Sequence, residues 1–200
     1  VEAFVLVVLI IFLFLRNWRT TLIPVLTIPI SLVGTFFIMY LAGFTINILT
    51  LLAIVLSIGL VVDDAIVVME NIYNKVEKGM SPLEAGFKGS QEIFFAVIAT
   101  TVALVAVFVP IVFLQGTTGR LFREFSVVIA GAVAISSFVA LSFTPMLSTK
   151  LLTQNVTGNW FYRVTEPFFV WFTNAYRSSL ESFMRHRYIA PIILLLSGVA

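Results

Sequence analysis

INILTLLAIVLSIGLVVDDAIVVMEN, residues 46–71, decides how the rest of the chain is read. From Ile46 to Met69 its only charged residues are Asp63 and Asp64. Crossing the hydrocarbon core of a bilayer takes roughly 20 apolar residues in a helix, and this stretch is long enough. It is apolar all round rather than alternating with period two, which excludes a barrel strand. Backbone polar groups in lipid must be satisfied within the segment, which leaves a helix. Two acids therefore sit side by side inside a membrane-length helix.

The whole chain has the same character. Of its 200 residues 60% are hydrophobic and 11% charged, whereas a soluble domain carries about 25% charged residues. Apolar segments recur at residues 1–15, 22–42, 46–70, 93–114 and 125–147, and another begins at 188. These assign residues 1–157 to a transmembrane bundle and 188–200 to the start of a further transmembrane helix. The fold class is all-α, a polytopic transmembrane helix bundle. Because the chain begins and ends inside apolar runs, it reads as an excerpt from a longer protein.

Between these lie residues 158–187, where Phe161, Val164, Phe168, Phe172, Ala175, Leu180 and Phe183 recur near helical spacing. Arg163, Glu166, Arg177, Glu181 and Arg185 fall between them. An amphipathic helix lying in the membrane interface fits that pattern, interrupted before Pro167.

Charge asymmetry orients the bundle. If consecutive helices alternate in direction, one side receives Arg16, Arg19, Lys75, Lys78, Lys88, Lys150, Arg163, Arg177, Arg185 and Arg187. The other receives only Arg120 and Arg123. The side richer in Lys and Arg is the cytoplasmic one. Residues 71–90 then form a cytoplasmic link, in which Ser81-Pro82-x-Glu84 starts a short connecting helix. Gly79, Gly86 and Gly89 lack the preceding strand and following Gly-Lys-Ser/Thr that phosphate binding requires. Pro24 and Pro29 are expected in the first turns of the second segment, Pro145 near the end of the fifth, and Pro110 at a kink in the fourth.

Cysteine is absent, and the single histidine, His186, stands alone in a basic stretch. No metal, cofactor, nucleic-acid partner or enzymatic activity is expected.

Asp63 and Asp64 are the only aspartates in the chain. At about 1.5 Å per residue they lie roughly 9–10 Å below the helix end at Glu70, too deep for Asp to snorkel. Burying one charge there costs about 2.5–3.5 kcal/mol on insertion scales, so such residues mark a pathway or a bundle interior. Desolvation and a neighbouring carboxylate favour the protonated form of a carboxyl group, and a nearby cation favours the ionised form. A site balanced between these influences changes protonation when helix packing or water access changes, and the pair titrates as a unit.

No Lys or Arg lies within a spanning segment, so a compensating cation must come from elsewhere. Gly59, one turn before Asp63, and Ser57 leave room for a close neighbour. Ala96, Thr100, Ala103 and Val107 share a face of the next segment, a packing face. Glu2 is either a second membrane carboxylate or a residue near the outer interface, and Glu70 marks the end of the helix.

Gly59-x-x-x-Asp63-Asp64-Ala65 with Glu70-Asn71 resembles the proton-relay helix of resistance-nodulation-division efflux transporters. Three further stretches match in the same order. They are Leu15-Arg16-Asn17-Trp18-Arg19-Thr20-Thr21-Leu22-Ile23-Pro24, Phe108-Val109-Pro110 with Gly116-Thr117-Thr118-Gly119, and Leu141-x-x-Thr144-Pro145. The resemblance implies transmembrane helices two to six, an interfacial helix and the start of helix seven, in a bacterial inner membrane. It implies that Asp63 and Asp64 exchange protons opposite a lysine on helix ten, driving export of a small molecule. A homotrimer with a periplasmic adaptor and an outer-membrane channel is the implied assembly. The paired aspartates resemble the hydrophobe/amphiphile (multidrug) branch.

Competing expectations are a related proton-driven protein, such as a protein-export accessory subunit or lipid exporter, and a membrane scaffold without transport. An intramembrane aspartyl protease needs two carboxylates converging on one water. Adjacent helix positions point about 100° apart, and no second segment carries an aspartate.

Overall fold

The computed structural model describes residues 2–152 and 160–185. They form six helices: α1 Glu2–Leu15, α2 Trp18–Leu41, α3 Ile48–Glu77, α4 Pro82–Val112, α5 Gly116–Leu151 and α6 Trp160–Arg185. No strand occurs among the described residues, as the all-α reading expects. Four helices, α2 to α5, are long and apolar enough to cross a membrane. His186 and the segment at 188–200 lie outside the described residues.

The chain divides into two compact units, residues 1–156 and 157–200. In the first, α5 packs against α2, α3 and α4, while α3 also meets α1, α2 and α4. One core gathers Ile23 of α2, Ala65, Val68, Met69 and Ile72 of α3, Ala85 and Val97 of α4, and Ala140 of α5. A second joins Met39, Ala53 and Ile54 to Val128, Ile129 and Val133 of α5. Outward-facing positions are apolar too: Phe95 of α4 is 80% exposed and Phe138 of α5 73%. Such surfaces suit lipid rather than water.

The helices outrun their apolar segments. α3 continues past Glu70 to Glu77, and α4 begins at Pro82, so the link at 71–90 holds a tight turn at 78–81 and no separate connecting helix. Packing explains the extension. Ile72 and Val76 stay fully buried, while Asn71 Nδ2 donates to the Gly89 carbonyl at 2.8 Å and Lys75 Nζ bonds Glu92 Oε1 at 2.7 Å. Ser81 caps α4 by accepting from the Glu84 N–H at 3.3 Å. Glu70 is thus an exposed mid-helix residue, not a helix end.

The prolines of α2 also sit differently from expectation. Asn17 caps the helix, its side chain accepting from the Arg19 N–H at 3.0 Å. Helix therefore starts at Trp18, and Pro24 and Pro29 fall in its interior. Hydroxyls supplement the backbone nearby: Thr20 and Thr21 donate to the Asn17 carbonyl, and Thr27 donates to the Pro24 carbonyl at 2.7 Å. In α4, Pro110 lies in the last turn before Val112.

At the opposite end of α3, Asn47 has two tasks. Its Oδ1 accepts from the N–H groups of Leu49 and Thr50, both at 2.9 Å. Its Nδ2 donates to Glu124 Oε2 of α5 at 2.7 Å. Asn47→Ala removes the cap and leaves Glu124 without that donor. The expected loss is about 1–2 kcal/mol, read as a lower melting temperature of the full-length protein in detergent; an unchanged melting curve refutes it.

In the second unit α6 runs unbroken through Pro167. A proline inside a helix deletes one backbone bond, and α6 continues past that gap. Arg177 Nε and Glu181 Oε1 pair at 2.8 Å along its surface.

Candidate functional site

Asp63 and Asp64 lie mid-way along α3, and their consecutive positions send them to different surroundings, about 100° apart around the helix. Asp63 is exposed. It belongs to a stripe of α3 that stays open along Leu52, Leu56, Gly59, Asp63, Val67 and Glu70, spaced three and four residues apart. A Cβ added at Gly59 would meet nothing within 4 Å. The room left by this glycine is therefore unfilled by the described residues. Ser57 is on the other side, fully buried and bonded to the Ile54 carbonyl at 2.8 Å.

Asp64 is partly buried and turned toward α4 and α5. Its neighbours in sequence set that orientation, because Val61, Val62 and Ala65 are core residues that seat α3 against the bundle. Ser137 Oγ donates to Asp64 Oδ2 at 2.8 Å, and Thr100 of α4 is a near neighbour of the carboxylate. Ser136, the preceding residue of α5, donates to the Val61 carbonyl at 2.7 Å. Ser137 in turn shares a hydrogen bond with Thr101. Thr100 and Thr101 each reach the Val97 carbonyl, at 2.9 and 2.7 Å.

The arrangement is two carboxylates with unlike settings, one held by a hydroxyl of a neighbouring helix and one facing outward. Among the described residues neither carboxylate has a cationic partner, whereas elsewhere Lys75 pairs with Glu92, Lys88 with Glu84 and Arg177 with Glu181. A hydroxyl-lined carboxyl can hold a proton or accept hydrogen bonds once it has lost one. No group of three metal-ligating side chains occurs among the described residues.

The other candidates that the sequence suggests lie apart from this cluster. Glu70 is nearly two turns further along α3 and exposed. Glu2 opens α1, and its side chain lies outside the described ones. Conversely, nothing in the sequence singles out Ser136, Ser137 or Thr101, and spacing assigns Thr100 to packing alone. Their signal is faint: Ser137 is 73 residues from Asp64, and hydroxyls are common in membrane helices, where they bond the preceding turn.

The profile of the AcrB/AcrD/AcrF family matches residues 1–200. Multidrug resistance protein MdtC of Pectobacterium atrosepticum is 51% identical over 150 residues, covering 75% of this chain and 15% of that protein. MdtC of Pectobacterium carotovorum is 51% identical over 152 residues, 76% of this chain and 15% of its own. MdtC of Yersinia enterocolitica is 48% identical over 158 residues, 79% of this chain and again 15% of its own. The chain therefore spans about 15% of the length of these relatives. Together with the four membrane-length helices, this kinship marks a multi-pass membrane protein. Matched over its whole length, the chain belongs to the AcrB/AcrD/AcrF family, the resistance-nodulation-division relationship that its motifs anticipate.

Proposed function

We propose that this chain supplies the proton-relay helices of a multidrug efflux transporter driven by the proton motive force, with Asp63 and Asp64 as the carboxylates that load and release protons. The observation that carries this reading is Asp64 itself, a carboxylate partly buried in a lipid-length helix and held by a hydroxyl of another helix. A charge crossing the membrane potential gains about 2.3 kcal/mol per 100 mV, and a carboxyl that gains or loses its proton converts that energy into altered helix packing. Asp63 lies on the open stripe of α3, where a cationic helix from the remainder of the transporter would seat.

The relatives' name supports export of drugs and similar amphiphiles. By resemblance the transporter is a homotrimer of the bacterial inner membrane, joined to a periplasmic adaptor and an outer-membrane channel. Residues 1–157 form its transmembrane part, 158–187 an interfacial helix on the cytoplasmic side and 188–200 the start of the next span.

Infrared difference spectra of the full-length transporter in lipid test the reading. A carboxyl stretching band should change between acidic and alkaline states and disappear in Asp64→Asn. Spectra in which no carboxyl group changes ionisation would overturn it.

A further inference from the structure

We infer that Ser137 is a positioning residue whose hydroxyl reverses its hydrogen bond when Asp64 changes protonation, passing that event on to Thr101 of α4. The inference rests on the proton-relay reading above.

Two adjacent hydroxyls of α5 grip α3 differently. Ser136 donates to a backbone carbonyl, that of Val61, at 2.7 Å, and no proton arriving at a side chain changes that bond. Ser137 donates to the Asp64 carboxylate at 2.8 Å, and this bond depends on the state of its acceptor. Ser137 also has the Val133 carbonyl at 3.1 Å and the Thr101 hydroxyl within reach. A hydroxyl carries one proton, so it serves one acceptor at a time.

With Asp64 ionised the donors run one way: Thr101 to Ser137, and Ser137 to Asp64 Oδ2. An incoming proton forms an O–H bond on Oδ2 and turns the acceptor into a donor. Asp64 then donates to Ser137 Oγ, Ser137 turns its own proton to Thr101 Oγ1, and Thr101 turns its proton to the Val97 carbonyl at 2.7 Å. No other covalent bond changes; the hydroxyls only rotate. A proton arriving on α3 thereby reverses every donor along a chain that runs through Ser137 of α5 to Thr101 of α4. The surroundings leave this exchange to hydroxyls. Among the described residues Asp63 is the one charged neighbour of Asp64, and α4 and α5 face it with Thr100 and Ser137. Among the described side chains, none that is charged reaches it from α1 or α2.

The test is an infrared titration of the Asp64 carboxyl band in the full-length transporter, the band being assigned by its loss in Asp64→Asn. Ser137→Ala, and Ser137→Cys as a volume-preserving weak donor, should each displace the titration by about one pH unit to the alkaline side of the wild type. Ser137→Thr, which keeps the hydroxyl, and Ser136→Ala should titrate with the wild type. A purely structural serine would leave the midpoint in place. Superimposed titrations of Ser137→Ala, Ser137→Cys and wild type would overturn the inference while leaving the relay reading intact. A wild-type spectrum in which Asp64→Asn removes no titrating band would overturn the relay reading itself.

Discussion

Asp64→Asn in the full-length transporter is expected to abolish drug resistance while the protein accumulates in the membrane at the wild-type level. Asparagine matches aspartate in size and keeps a carbonyl oxygen where Ser137 donates at 2.8 Å, so the contact with α5 survives. The ability to ionise is lost. Because a charge in the bilayer costs about 2.5–3.5 kcal/mol, neutralising it should leave insertion and folding undisturbed. A pump that depends on this group then has no place to load a proton, and the gain of about 2.3 kcal/mol per charge per 100 mV is lost with it. Asp63→Asn should have the same outcome through a different contact, since Asp63 is on the open stripe and bonds no described residue of α4 or α5. Growth in the presence of drug, alongside immunoblots of the membrane fraction, measures both parts of the expectation. Wild-type resistance from the double Asn variant would reduce the pair to a scaffold feature.

How much of this is legible in the sequence follows from the kind of signal each feature leaves. Membrane-length apolar runs are long and unbroken, so α2 to α5 can be named before any coordinates. Two aspartates in such a run stand out equally well, because little in lipid tolerates them without a reason. The boundaries are less legible. Hydropathy falls at Glu70, yet α3 continues to Glu77 because Ile72 and Val76 keep a buried stripe going on an otherwise polar helix. Pro24 suggests a helix start, but the start belongs to Asn17, whose capping bond is a local geometric fact. Pro167 suggests a break that α6 does not have.

The hydroxyl cluster is the least legible part. Ser136 and Ser137 read as two of many small residues until α5 is laid against α3, when one meets a carbonyl and the other a carboxylate. Thr100 reads as packing for the same reason. What distinguishes these residues is a partner far away in sequence, and periodicity within one segment carries no trace of it. Gly59 shows the converse. Its spacing from Asp63 is legible, but its emptiness is visible only once the described helices are found not to fill it.

Gly89→Leu is expected to lower the melting temperature of the full-length protein sharply and to reduce its accumulation in the membrane. Here α4 crosses the C-terminal end of α3 at close range, and a Cβ at position 89 would stand 2.8 Å from Ile72 Cγ1, 3.1 Å from its Cα and 3.3 Å from its N. Two of those three atoms are backbone, and Ile72 is fully buried, so rotating a side chain does not relieve the contact. The helices would have to separate. Overpacking of this kind costs about 1–3 kcal/mol, and separation also stretches the 2.8 Å bond from Asn71 to the Gly89 carbonyl, worth about 1 kcal/mol. The Lys75–Glu92 pair nearby adds little, since Glu92 is 57% exposed and solvent screens such a pair. Gly89→Ala sharpens the test. In a helix alanine is favoured over glycine by about 1 kcal/mol, yet its Cβ meets the same backbone, so it too should destabilise. A melting temperature equal to or above wild type for both variants would show that α3 and α4 do not cross here on bare backbone.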